Sequence, residues 1–298
     1  LDRIFQKQGK NHSKRESGEI YEDELMIETR HLFPILDEKL IELLRSLTEE
    51  DWTKPTVAKL WTVRDVASHL LDGNMRMISL FRDGHGVVPD RPIHSYQDLV
   101  AFLNELNADW VRATKRLSPS LLTDLLETTG REYSRLIQQH NPDENAVFPV
   151  AWAGEDVSKN WFHVAREYTE KWHHQQQIRL ATGRPGIMTT DFYTPFIHTL
   201  LLGLPYVYRD VTASPGTALQ ITISGEAGGV WFLVREESAW SLQASYSSLV
   251  TATIAIPAEI AWQLFTKAVR PEDVESIIIL DGDRRMAAQA LTLIAVMA

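Results

Sequence analysis

Apolar positions recur at helical spacing up to about residue 205 and at strand spacing beyond it. Leu32, Leu36, Leu40, Leu43 and Leu44 predict a helix over residues 28–47. A second helix opens at Thr62, a good N-cap with Asp65 at the capping-box position, and runs to about Arg82. It stops at Asp83-Gly84-His85-Gly86. The third runs from about Tyr96 to Leu117 behind Ser95, with Leu99, Phe102, Leu103, Leu106 and Trp110 as its buried face. A fourth spans Ser120 to Ile137. Residues 138–157 then form a long connection whose Phe148, Val150 and Trp152 argue against disorder. The strongest helix covers Val157 to Thr182 and ends at Gly183-Arg184-Pro185-Gly186.

Strand alternation follows at 219–224, 230–235, 240–244 and 251–256, with Gly228-Gly229 as a turn. Pro257 opens a short helix to about Ala268. Ser276 to Leu280 reads as a buried apolar run, and Asp281-Gly282-Asp283 turns into a terminal helix reaching Met297. The pattern divides the chain into a polar, mobile arm over 1–25, a helical domain over 26–204 and a small α+β domain over 205–298. The chain begins with Leu1 rather than Met, which makes Met26 a candidate start.

Composition narrows the class. The chain has 298 residues, 44% hydrophobic and 23% charged, as in an ordinary globular protein. There is no cysteine, which excludes disulfides, a cysteine nucleophile, cysteine-ligated zinc and iron–sulfur clusters. A formal charge of −10 without a basic stripe argues against nucleic acid. No apolar run reaches membrane-spanning length. These features favour a cytoplasmic setting.

The helix over 157–182 carries the chemistry. At 100° per residue His163, Glu167, Glu170, His174 and Ile178 share one arc, and Trp161, Ala165, Tyr168 and Trp172 the opposite one. Glu170 and His174 stack on adjacent turns, near enough to share a metal ion. Carboxylate and imidazole suit zinc, and also nickel, iron or manganese. A third ligand must come from another helix, and His69, on the inward face of the second helix with Val66, Leu70, Gly73 and Met77, is the best candidate. Each residue also has a plainer reading: His69 as a hydrogen-bonded core histidine, and Glu170/His174 as a surface pair. His163 and Glu167 suit groups that orient ligands, and His173 is expected to face elsewhere and bond solvent or backbone.

Three stretches resemble the DinB-like metal-dependent superfamily, most closely its mycothiol-dependent maleylpyruvate isomerase branch. They are Trp61-Thr-Val-Arg-Asp-Val-Ala-Ser-His-Leu-Leu-Asp72, then Arg166-Glu-Tyr-Thr-Glu-Lys-Trp-His-His174 with Leu180-Ala-Thr-Gly183, and Leu280-Asp-Gly-Asp283 before the alanine-rich end. The resemblance implies a four-helix bundle followed by a small sterol-carrier-like α+β domain. It assigns the metal ligands to His69, Glu170 and His174, with zinc as the default ion. It implies a low-molecular-weight thiol such as mycothiol as cofactor, activated at the metal to add to a small electrophile. It also implies a substrate-binding Arg from the C-terminal domain, for which Arg284 is the candidate, with a solvated helix terminus as its plainer reading; Trp152 is read either as a wall of the cofactor pocket or as a core anchor. The segment His173-His-Gln-Gln-Gln177 departs from the Asp that many branch members carry shortly after the ligand His.

Three functions compete on this reading. The leading one is a metal-dependent, thiol-assisted isomerase or transferase. The second is a thiol-independent metal hydrolase with Glu167 as general base. The third is a non-enzymatic binding module with a structural metal. The oligomeric state is not encoded in any of these features.

Overall fold

The computed structural model describes residues 26–296, so the arm expected over 1–25 and the helix end expected at Met297 lie outside the described residues. Helix α1 (Leu32–Arg45) is followed by a short α2 (Glu49–Thr53), then α3 (Val63–Asp83), α4 (Tyr96–Thr114), α5 (Pro119–Ile137) and α6 (Asn160–Thr182). Both capping-box hydrogen bonds of Thr62 and Asp65 form at the start of α3, and Gly84 closes it at φ 66°. Helix α1 starts later than the apolar period suggests, because the Glu28 carboxylate accepts the Arg30 backbone N–H and holds a turn there. Helix α6 also starts late: Ala146 donates to the Ser158 carbonyl, so 158 is tied into the preceding loop.

Helix α1 packs on α5 and α6, α3 packs on the same two helices, and α4 lies against α3. Helix α6 is therefore covered from two sides here. A third cover comes from α7 (Thr190–Leu201), a helix the periodicity does not reveal because Pro195 interrupts it. Tyr193, Phe196, Ile197, Leu200 and Leu201 of α7 are fully buried. A short α8 (Leu204–Val207) leads into the sheet.

Five strands follow: β1 (Ala218–Ser224), β2 (Gly229–Arg235), β3 (Trp240–Gln243), β4 (Ala252–Pro257) and β5 (Ile279–Gly282). Their order is β3-β2-β1-β4-β5; β1 and β4 are parallel and every other pair is antiparallel. Leu219, Ile221 and Ile223 alternate inward with Gln220 and Thr222 outward, as a sheet with one buried face requires. Helix α9 (Ala258–Phe265) covers this face with Ala261, Trp262 and Phe265, and α10 (Pro271–Val274) and α11 (Arg284–Gln289) complete the fold. Trp172 of α6 stacks on Phe196 at 4.0 Å and meets Trp262 edge-on at 6.2 Å. One apolar core thus runs from α6 through α7 to α9 and the sheet.

Two expectations fail in this region. The run Ser276 to Leu280 is not buried: β5 is an edge strand, and Ile277 and Ile279 are 48% and 67% exposed. A strand paired on one side only, with one face to the core, cannot bury consecutive side chains. The terminal helix is also shorter than expected, ending at Gln289 before a 3-10 turn over Ala290–Thr292. Among the described residues no helix is long and apolar enough to cross a membrane.

Gly154 ends the turn before α6 at φ 80°, and a Cβ there would lie 2.2 Å from the Tyr206 ring. Gly154→Ala should lower unfolding free energy by about 1–3 kcal/mol in urea titrations. A stability equal to wild type would show that the turn and Tyr206 yield freely.

Candidate functional site

Helices α3 and α6 lie side by side, so their inward histidines meet. The rings of His69 and His174 are 4.6 Å apart, edge to face, and the Trp61 indole lies 4.8 Å from His69. His174 Nε2 is 3.6 Å from Glu170 Oε2, too long for a hydrogen bond. The Gln177 side-chain oxygen lies 3.0 Å from His174 Nδ1. An amide oxygen only accepts, so Nδ1 carries a proton; in the neutral imidazole this leaves the lone pair on Nε2. His69 Nδ1 is buried and has no hydrogen-bond partner.

His173 departs from expectation. It does bond backbone, with Nδ1 2.9 Å from the Thr169 carbonyl, but it does not face away from the cluster. Its ring lies 3.9 Å from that of His174, and ligating atoms of Glu170, His173 and His174 all fall within 4.8 Å of one another. The reason is that α6 is covered nearly all round, so no side of it offers an outward direction.

Burial pushes the His69 imidazole well below its usual range, and His174 adds to the shift. Burial, then His174, pushes His173 down to about 4. Both rings are therefore neutral near pH 7, the form that binds metals. Burial pushes the Glu170 carboxyl up, but the pull of His174, His173 and Arg166 outweighs it and holds the group below the ordinary carboxylate range.

Next to the cluster, the groups expected to orient ligands form a chain of their own. Arg166 Nη2 donates to His163 Nδ1 at 3.0 Å and to Glu167 Oε1 at 2.6 Å. The Tyr133 hydroxyl donates to Glu167 Oε2 at 2.9 Å. Both oxygens of Glu167 are thus engaged. Lys171 pairs with Asp37 at 2.6 Å.

The cluster opens on a cavity of about 800 Å³. Its walls come from α3, α4, α6, the loop before α3 and the 84–95 connection. Thr266, Lys267, Ala268 and Val296 close it from the C-terminal part of the chain. Arg284 does not reach this cavity; it is exposed, and its guanidinium donates to the Leu280 carbonyl at 3.1 Å. Trp152 does not wall it either, but packs edge-on against Phe162 at 5.8 Å and beside Gly203. Its neighbour Ala151 takes the lining position. Arg76 and Lys267 are cavity cations that sequence reasoning missed. Arg76 had a signal, being two helical turns beyond His69 on the same face. Lys267 had none: it follows α9 with φ 62°, and tertiary packing alone brings it here.

Residues 33–179 match the family model described as the mycothiol maleylpyruvate isomerase N-terminal domain. The stretch from the start of α1 into the last turn of α6 is thus similar to that family's domain. Trp61–Asp72 and Arg166–His174 fall inside the match, and Leu180–Gly183 and Leu280–Asp283 fall outside it. Two solved structures, the mycothiol-dependent maleylpyruvate isomerase and a histidine-to-alanine mutant of it, are each 10% identical with a TM-score of 0.49. Each alignment covers 83% of this chain and 91% of the other. No curated protein matches.

His163, in this maleylpyruvate isomerase-like domain, is fully buried, and burial followed by Arg166 pushes its imidazole well below its usual range. The unfolded chain takes up that proton near pH 6.5, about one imidazole's ordinary value. Its contribution is therefore complete above about pH 6.5 and is lost as pH falls through the folded pKa. Between about pH 7 and 5 metal-free wild type should lose more unfolding free energy than His163→Gln. Parallel losses in urea titrations would show that His163 is not held neutral by the fold.

Proposed function

We propose that this chain is a metal- and thiol-dependent enzyme of the maleylpyruvate isomerase type, acting on a small electrophile within a four-helix bundle followed by a sterol-carrier-like domain. The observation that carries the reading is the meeting of His69 with Glu170 and His174 at one end of a cavity. Three features of the residues fit a divalent ion. His69 Nδ1 is a buried polar atom without a partner. Gln177 leaves the His174 Nε2 lone pair free. Glu170 is held ionised. Two imidazoles and a carboxylate are an open ligand set that suits zinc.

Bound there, the ion would lower the pKa of a coordinated thiol such as mycothiol, as it does for water. The chain's own residues do the rest. Gln177 keeps His174 in one orientation. Trp61 shields the imidazoles from bulk water. Lys267 presents positive charge to an anionic substrate, in the part expected of Arg284, while Arg76 and Arg166 line the cavity already paired with Asp72 at 3.0 Å and Glu167 at 2.6 Å. The hydrolase alternative loses support because Glu167, its general base, is held at both oxygens by Arg166 and Tyr133.

A second ligand set, Glu170, His173 and His174, has the tighter grouping of donor atoms in its favour. The Thr169 carbonyl already occupies His173 Nδ1, which leaves that ring less free than His69. Elemental analysis of untagged variants separates the two. His69→Ala, Glu170→Gln and His174→Ala should each lose the stoichiometric metal, while His173→Ala should keep it. Loss in His173→Ala with retention in His69→Ala would move the assignment to the second set. In the metal-loaded wild type, conversion of maleylpyruvate should require added mycothiol. Turnover of substrate without thiol would replace the isomerase reading with a metal–water chemistry.

A further inference from the structure

Helix α4 has an apolar stripe that the fold uses only at Trp110, which packs against a hydrophobic core. Leu99, Phe102, Leu103 and Leu106 have the spacing of a core-facing helix side, yet none of the four belongs to either hydrophobic core among the described residues. All four line the cavity, and only Phe102 is buried. The opposite side of α4 carries Glu105, Asp109 and Arg112 toward solvent. The hydrophobic burial this stripe is patterned for is therefore realised only when something apolar occupies the cavity.

Across from it, Met77 and Leu80 of α3 continue the apolar wall. They lie eight and eleven residues beyond His69, or about 12 and 16 Å along the helix axis. The polar cluster sits at one end of this length, and the lining that extends away from it is mainly apolar, interrupted by Arg76, Asn104 and Asn107. A cavity of about 800 Å³ is in the range of sites for drug-sized ligands, about 300–1,000 Å³. A compact polar acid would leave most of that lining wet.

We propose that the electrophile is an amphiphile: a polar, anionic reacting end held at the His69/Glu170/His174 end and an extended apolar group lying between α3 and α4. This rests on the functional reading above for which end reacts, but the apolar subsite itself can be tested by binding alone.

The probes are straight-chain carboxylates from butanoate to decanoate, titrated calorimetrically into the metal-loaded full chain. Affinity should rise about fourfold for each methylene added. In Leu103→Gln/Leu106→Gln the series should flatten while metal content and far-ultraviolet dichroism stay at wild type, since both side chains lie outside the cores. A flat series in wild type, or an equally steep one in the variant, would overturn the subsite. A flat series in protein that retains metal and thiol-dependent turnover would do so while leaving the isomerase reading intact. A steep series that the double variant abolishes supports the subsite even where thiol dependence fails.

Discussion

Helix α6 is buried along most of its 23 residues, although it carries histidines, glutamates, lysine and arginines. Such a helix is stable only if each charge it takes out of water finds a partner inside. Breaking one buried pair costs about 3–5 kcal/mol, because the other charge is left uncompensated. The partners come from every side. Lys171 is answered by Asp37 of α1 and Glu167 by Arg166 and Tyr133. The Arg179 guanidinium donates to the carbonyls of Lys39 and Pro185. Positions of α1 and α5, and of the loop after α6, are in this way fixed by the charges of one helix.

That arrangement explains why the cluster can hold reactive groups. With the other ionisable side chains of α6 committed, Glu170 and His174 face the cavity with each other, His173, Gln177 and, from α3, His69 close by. Helix α3 contributes His69 from a rigid 21-residue element closed at both ends by its capping box and Gly84. The reactive end thus stands on helices, where side-chain positions are well held, while loops and the C-terminal part supply the cavity's rim. Helix α4 plays a different role, trading core packing for an apolar cavity wall.

Much of the fold was legible because helical and strand periods are local. Thr62 with Asp65, Ser95, Gly84 and Gly183 mark helix ends from within a few residues, and the structure uses all of them. Helix α7 was not legible, since Pro195 breaks the pattern and only packing against Trp172 restores its place. The run at Ser276 to Leu280 misled for a related reason: apolar character says a strand forms, but not whether it ends at a sheet edge.

For the site, helical spacing by itself determined that Glu170 and His174 share a face and that His69 points inward, because positions four apart stack whatever surrounds them. Which helix meets which, that His173 stays in the cluster, that Lys267 rather than Arg284 reaches the cavity, and that the stripe of α4 lines a void instead of a core were decided only by tertiary structure. Those outcomes depend on contacts between residues far apart in the chain, and a local period carries no information about what will lie opposite it.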